Sequence, residues 1–262
     1  MKELIIMIFF ISILLYFYWN YTIETSHYII NTSKNISKNF KILQITDLHG
    51  YKKFYKNLIK IVCKEKPDVV VITGDLINEK TNELGIDFVK SISNLPIYFV
   101  SGNHESRLNS EVQENFLNNL NYLGVYNLDQ LKIHDFVDGV NMVGISGECL
   151  IRKEIPEYIN DLPNEKYNIL LMHQPEMVMK LYPLSNVDLV FAGHAHGGQW
   201  IIPFVNRGVF APNQGLFAKY VNGLYKICNI QLLVSRGIGT MTFVPRIYNR
   251  PHVVVVNVNK VK

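Results

Sequence analysis

The sequence predicts an α/β domain with much parallel strand pairing, carried behind an N-terminal apolar helix. Three observations predict it. Short apolar runs rich in Val and Ile alternate with helical patterns. Each of these runs ends in a residue able to hold a metal ion. The chain also opens on Leu4 to Trp19, a stretch that is apolar apart from one Ser.

The N-terminal stretch comes first. About sixteen helical residues cover ~24 Å, and extension through Ile23 supplies the ~20 residues that a ~30 Å bilayer core requires. Tyr16, Tyr18, Trp19 and Tyr21 crowd its distal end, as an interfacial aromatic belt does. No small-residue cleavage site follows, so residues 1–23 are expected to persist as a single-pass membrane anchor rather than to be removed as a signal peptide. Only Lys2 and the α-amino group precede the stretch, and the next cation is Lys34. The positive-inside rule therefore leans towards an extracytoplasmic domain. Residues 24–39, rich in Asn, Thr, Ser and Lys, read as a linker, with the folded domain running from 40 to 262.

Composition narrows the class. Twenty-six Lys and Arg against 22 Asp and Glu leave a net charge of +4, too small to indicate nucleic-acid binding. Three cysteines with no Cys-x-x-Cys pair argue against both a disulfide framework and a thiolate zinc site. No Gly-x-x-x-x-Gly-Lys-[Ser/Thr] loop occurs, so nucleotide use of that kind is not indicated. Eight histidines remain to be explained.

The strands place five of them. KILQIT leads into Asp47-Leu48-His49, DVVVIT into Gly74-Asp75 and PIYFVS into Gly102-Asn103-His104. NILLM leads into His173, and DLVFA into Gly193-His194-Ala195-His196. Near-continuous apolarity marks strands buried on both faces. Helical patterns over Tyr51 to Lys66, Glu83 to Ser93, Glu105 to Leu123 and Pro175 to Leu181 separate them. Ligands in such sheets bind beyond the carboxyl ends of the strands, where all five motifs fall. Asp47 and His49, like His194 and His196, are two residues apart and so share a face in extended chain. Gly74, Gly102 and Gly193 each precede a ligand-type residue, where the backbone must turn sharply or approach closely. His27 and His134 are read as ordinary surface residues.

In this order, D-x-H, G-D, G-N-H-[DE], H and G-H-x-H resemble the calcineurin-like metallophosphoesterase superfamily, over about Phe40 to Asn259. The tail Gly197-Gly198-Gln199, the later Val234-Ser235-Arg236-Gly237-Ile238-Gly239 and the N-terminal anchor resemble its membrane-associated bacterial phosphodiesterase branch. The resemblance implies a four-layer αββα sandwich with mixed sheets. It also implies a dinuclear metal centre: Asp47, His49 and His196 on one ion, Asn103, His173 and His194 on the other, and Asp75 bridging both. His104 would stay off the metals as the catalytic acid. The implied reaction is hydrolysis of a phosphate ester by in-line attack of a hydroxide bridging two divalent ions. A substrate resembling UDP-2,3-diacylglucosamine lies within the branch's range. Imidazole and carboxylate ligands without thiolate suit Mn, Fe or Zn.

Two departures from the family pattern bear on substrate contacts rather than metals. Pro251-His252 stands where relatives often carry Pro-Glu, and Gly147-Glu148-Cys149 where many place an Asp. Lys52, Lys56, Lys60 and Lys64 recur every fourth residue opposite Phe54, Leu58, Ile61 and Val62, which makes a solvated helix face or a contact for anionic head groups. Arg207, Arg236, Arg246 and Arg250 are expected to form ion pairs or to steer phosphate. The alternatives to a phosphodiesterase are a phosphomonoesterase or protein phosphatase, and a non-catalytic metal-binding scaffold. The complete ligand set and His104 favour an enzyme over the scaffold. No partner protein or oligomeric state is indicated.

Overall fold

The computed structural model describes residues 1–78, 80–181, 186–239 and 244–261. The chain starts as α1 (Lys2–Tyr21), then forms β1 (Glu24–Thr32) and β2 (Phe40–Ile45). Helix α2 (Tyr55–Glu65), strand β3 (Val69–Thr73), helix α3 (Asn82–Ser91) and strand β4 (Ile97–Val100) follow. Next come α4 (Asn103–Ser106), α5 (Ser110–Tyr122), β5 (Tyr126–Asn127), α6 (Leu128–Leu131), β6 (Ile133–Val137), β7 (Val140–Gly144) and α7 (Gly147–Ile151). Strands β8 (Tyr167–Leu171) and β9 (Leu189–Ala192) lead to a small sheet of β10 (Ile201–Ile202), β11 (Arg207–Ala211) and β12 (Gly215–Ala218). The chain closes with β13 (Gly223–Ile227), β14 (Ile230–Val234) and β15 (His252–Lys260).

The strands form two six-stranded mixed sheets, ordered β1-β15-β2-β3-β4-β5 and β13-β14-β9-β8-β7-β6. The runs that end in ligand-type residues pair in parallel: β2 with β3, β3 with β4, and β8 with β9. Their motifs therefore emerge on one edge of each sheet. The inner faces meet in a core that includes Ile42, Val71 and Val256 from the first sheet and Ile169, Leu171 and Phe191 from the second. The outer face of the first sheet packs on α2, α3 and α5 through residues such as Leu58, Phe88 and Phe116. That of the second packs on α7 and the turns around Ile159 and Val178. Helix, sheet, sheet and helix make the four layers that the resemblance implied.

Helix α2 shows how the pattern encodes its face. Tyr55, Leu58 and Val62 are buried while Lys56, Lys60 and Lys64 are exposed. Lys66 ends the helix in the left-handed conformation, φ 48°, and its N–H donates to Val62 O at 3.0 Å.

Three expectations need correction. Residues 24–39 are not merely a linker, because β1 pairs in parallel with β15 from Glu24↔His252 to Thr32↔Lys260. Its polar sequence misled because it is an edge strand, with solvent on one side. The expected helix over 105–123 is two helices, α4 and α5, the second capped by Asn109 Oδ1 accepting from Val112 N–H at 2.9 Å. The helix over 175–181 is a 3₁₀ turn, Pro175–Lys180. Helix α1 is long and apolar enough to cross a membrane, with a mean hydropathy of 2.0.

Candidate metal centre

The site lies where the two sheets present their strand ends to each other. Asp47 follows β2, Asp75 follows β3 and Asn103 opens α4 after β4; His173 follows β8, and His194 and His196 follow β9. The sheets are tied across the site, since the Asp47 carboxylate accepts the His194 N–H at 3.0 Å. His49 N–H donates to Asp75 O at 2.9 Å, joining the first two motifs.

The glycines act through space. A Cβ on Gly193 would come within 2.1 Å of Thr46 Oγ1, and one on Gly74 within 2.6 Å of Gly102 Cα. Asp47, His49, Asp75, His194 and His196 all have left-handed backbones, with φ of 53°, 49°, 51°, 65° and 46°. Such conformations cost on the order of 1–3 kcal/mol each outside glycine and gather at functional sites.

The side chains converge as two groups of ligand-type atoms that share one side of the cleft. Asp47, His49 and His196 form one group, and Asp75, His173 and His194 the other; the atoms of each lie within 4.8 Å of one another. In the first, His196 Nε2 is 3.3 Å from Asp47 Oδ1 and 3.4 Å from His49 Nε2. In the second, His173 Nε2 is 3.1 Å from both Asp75 Oδ2 and His194 Nδ1. Asp75 Oδ2 also lies 3.9 Å from His49 Nε2, which places this carboxylate between the groups. Asn103 Oδ1 is buried with no hydrogen-bond partner. A buried acceptor left unpaired costs ~1–3 kcal/mol, and a hard cation is the natural partner for an amide oxygen at that place. The donor set of imidazole, carboxylate and amide oxygen fits a pair of divalent ions.

His104 differs from the others. Its side chain is 40% exposed, and its Nε2 stands 4.0 Å from Asp75 Oδ2. Its ring packs edge-on against His49, with centroids 4.8 Å apart. Distance alone would also admit it to a ligand group with His49 and Asp75; its exposure to the cleft distinguishes it. The cleft has a volume of about 320 Å³ and is lined by Asp75, Asn103, His104 and His194 together with the cations Arg107 and Lys153.

Electrostatics prepare the imidazoles differently. Burial pushes His49 down to about 4, and burial with the nearby Arg246 pushes His196 down to about 3, so both are neutral near pH 7. Burial opposes charge on His173 too, but Asp75 and then Asp47 outweigh it and raise the group to about 10. Its Nδ1–H donates to Thr73 O at 2.8 Å, leaving Nε2 as the atom that faces Asp75. The metal-free site therefore holds one proton at His173 Nε2 that an ion must displace. Because the folded value lies above that of a free imidazole, this proton is held through neutral pH and released only towards about 10. The apparent affinity of one ion should accordingly rise about tenfold per unit from pH 6 to 8, with close to one proton released. Calorimetry in buffers of different ionisation enthalpy measures that release, and a binding heat independent of buffer would contradict it.

Several supporting residues carried no assigned role in the sequence. Glu105, fully buried, accepts the N–H of Gly102 at 2.8 Å, of Asp75 at 2.9 Å and of Ile77 at 3.0 Å, fastening the second motif to the third. Burial and then Asp75 raise its carboxyl to about 7. Its place after His104 was the available signal. The C-terminal arginines do not steer phosphate from the cleft lining: Arg236 pairs with Glu24 at 3.0 Å, Arg207 is held by Phe217 O, Arg250 reaches Thr22 and Tyr18, and Arg246 is fully buried. His252 is also buried away from the cleft, its Nε2 2.9 Å from Ser26 Oγ of β1.

Comparison with known proteins places this geometry. Residues 40–198 match the calcineurin-like phosphoesterase family. An uncharacterized metallophosphoesterase of Campylobacter jejuni is 32% identical over 237 residues, covering 85% of this chain and 60% of that protein. One from Aquifex aeolicus is 28% identical over 255 residues, covering 91% of this chain and 92% of the relative. The phosphodiesterase YaeI of Escherichia coli K12 is 28% identical over 225 residues, covering 79% and 78%. The chain spans 60% of the Campylobacter protein's length and 55% of that of a Helicobacter pylori relative. Among solved structures, a dimetal phosphatase from Danio rerio superposes with a TM-score of 0.51 at 12% identity, over 77% of this chain and 88% of that one, a likeness of fold.

Proposed function

Because the chain belongs to the calcineurin-like phosphoesterase family, we propose that it is a membrane-anchored dimetal phosphodiesterase acting on a phosphate ester presented at the bilayer surface. The observation that carries this reading is the convergence of Asp47, His49, His173, His194 and His196 around Asp75, with the unpaired Asn103 oxygen beside them. In this reading Asp47, His49 and His196 hold one ion, Asn103, His173 and His194 the other, and Asp75 both. Two bound divalent ions, of the Mn, Fe or Zn kind, supply Lewis acidity that acidifies water and draws charge from a phosphoryl group.

The chain's own residues supply the rest. Arg107 and Lys153 line the cleft and offer charge to the substrate's anionic groups. His104 Nε2, open to the cleft, holds the proton that passes to the leaving oxygen. Asp75 orients His104 by accepting its backbone N–H at 2.9 Å on Oδ1.

A lipid-linked substrate is supported by the surface. Gly208 stands opposite Ile201 and Ala218, the neighbouring Val209 N–H donates to Trp200 O at 2.8 Å, and Trp200 bridges to Ile247. Phe217 is 63% exposed and Phe204, in the β10–β11 turn, wholly so. Tyr248, next to Ile247 and itself exposed, has its ring 4.7 Å from Trp19 of α1. Lys53 sits 4.4 Å over the ring of Tyr21, and Lys52, Lys56, Lys60 and Lys64 face solvent, as contacts with anionic head groups require.

The test is a metal-resolved assay of the full chain in mixed micelles. Bis-p-nitrophenyl phosphate, p-nitrophenyl phosphate and UDP-2,3-diacylglucosamine are compared with Mn, Fe or Zn. The diester should be cleaved faster than the monoester, and the lipid substrate fastest. Preference for the monoester would overturn the phosphodiesterase reading. Hydrolysis of none would favour a metal-binding scaffold.

A further inference from the structure

Arg246 takes no part in the chemistry above, yet it is the largest fully buried side chain among the described residues. No carboxylate pairs with it among them. Its guanidinium donates instead to neutral oxygens: Nη2 to the carbonyls of Arg236 at 2.9 Å, Gly237 at 3.2 Å and Gly239, and Nη1 to Asn249 Oδ1 at 3.1 Å. Burying an ion without a counter-ion costs several kcal/mol that hydrogen bonds must offset. An apolar side chain would fill the same space at less cost, so the hydrogen bonds themselves need a purpose.

Their far ends supply one. Gly239 N–H donates to Asp47 O at 2.6 Å, and Gly239 O faces His196 Nδ1 at 3.4 Å. A Cβ on Gly239 would lie 2.7 Å from His49 Cδ2, so this segment packs directly on that ring. Asn249 Nδ2 donates to His196 O at 2.7 Å and to Gln199 O at 2.9 Å. The contacts radiating from Arg246 thus end on Asp47, His49 and His196, one ligand group. The imidazoles of the other group are held elsewhere, His173 by Thr73 O at 2.8 Å and His194 by Asn213 at 3.1 Å, and only the His194 backbone N–H reaches the first group, at the Asp47 carboxylate.

The opposite side of Arg246 is gripped by the anchor helix. Asn20 Oδ1 accepts the Arg246 N–H at 2.8 Å, and Asn20 Nδ2 donates to Arg246 O at 3.1 Å. Asn20 is the one buried residue of α1.

We infer that Arg246 is a positioning residue for the metal position formed by Asp47, His49 and His196, and that Asn20 clamps the end of α1 to it, making a single strut from anchor to metal centre. The inference rests on the dimetal reading, but it adds a selectivity that this reading lacks. Disturbing the strut should weaken one ion and spare the other.

The experiment titrates the metal-free full chain, in detergent, with Mn²⁺ alone and follows uptake by calorimetry and electron paramagnetic resonance. Two ions should bind the unmodified chain. Arg246→Met should weaken one of them about 10–100-fold, as loss of a group that orients a ligand does, and leave the second unchanged. Arg246→Lys, with the charge but not the fork, should restore the affinity only in part. Asn249→Ala and Asn20→Ala should weaken the same ion, less severely, and they keep the test decisive if Arg246→Met does not fold. Equal weakening of both ions, or unchanged affinity in both asparagine variants, would overturn the inference. Failure of the unmodified chain to bind a pair of ions would overturn the dimetal reading first and the strut's role with it.

Discussion

Replacing His104 by alanine will cut diester hydrolysis by ~10²–10⁴-fold, the range for loss of a general acid, while both ions stay bound. The geometry separates these two effects. His104 holds its neighbours through its backbone, whose N–H donates to Asp75 Oδ1 at 2.9 Å, and alanine keeps that bond. What alanine removes is a ring 40% open to the cleft, its Nε2 4.0 Å from Asp75 Oδ2. Metal content by elemental analysis and hydrolysis of a diester with an alkyl alcohol as leaving group report the two independently. A substrate whose leaving group needs no proton should lose less than one with a poor leaving group. If the ions leave together with the activity, His104 is a ligand, as its proximity to His49 and Asp75 would also permit.

Asp75→Asn will do the reverse, emptying the centre and abolishing activity through metal loss. Asp75 Oδ2 stands 3.1 Å from His173 Nε2 and 3.9 Å from His49 Nε2, one from each ligand group. Asp47 Oδ1 also comes within 4.0 Å of His173 Nε2, but it sits closer to His196, at 3.3 Å, and so belongs to the first group. Asparagine keeps the shape but removes the charge that opposes repulsion between two cations. The loss in affinity should exceed the ~10–100-fold typical of groups that only orient a ligand, at both ions. Bound metal should fall below one ion per chain, measured after dialysis against a weak chelator. Retention of two ions with normal affinity would remove Asp75 from its bridging place. Its ionisation supports the bridging place: although burial opposes charge, His173 and His49 hold the Asp75 carboxyl well below the usual range.

Legibility differed between the proposed ligands and what holds them. Asp47, His49, Asp75, Asn103, His173, His194 and His196 could be read because each follows an apolar run, and parallel strands deliver their ends to one edge. Glu105 and Asn249 could not be given roles, since nothing in a lone Glu or Asn tells which backbone N–H or carbonyl will lie within 3 Å. Arg246 read as an ion-pairing or phosphate-steering cation for the same reason: its burial arises from the packing of the segments around 199, 239 and 20, far apart in the sequence. Strand β1 was hidden by composition, because an edge strand needs little apolar surface.

The sequence by itself determined the chemistry of the donors, their order, the strand ends that carry them and an apolar helix long enough for a bilayer. These are local properties, fixed by residue type and by periods of two and 3.6. Only the tertiary structure decided that two sheets face each other to merge the motifs into one centre, that five of its residues take left-handed backbones, and that a buried arginine ties one half of it to α1. Those depend on contacts between distant segments, where burial decides whether a polar side chain meets water or a backbone oxygen.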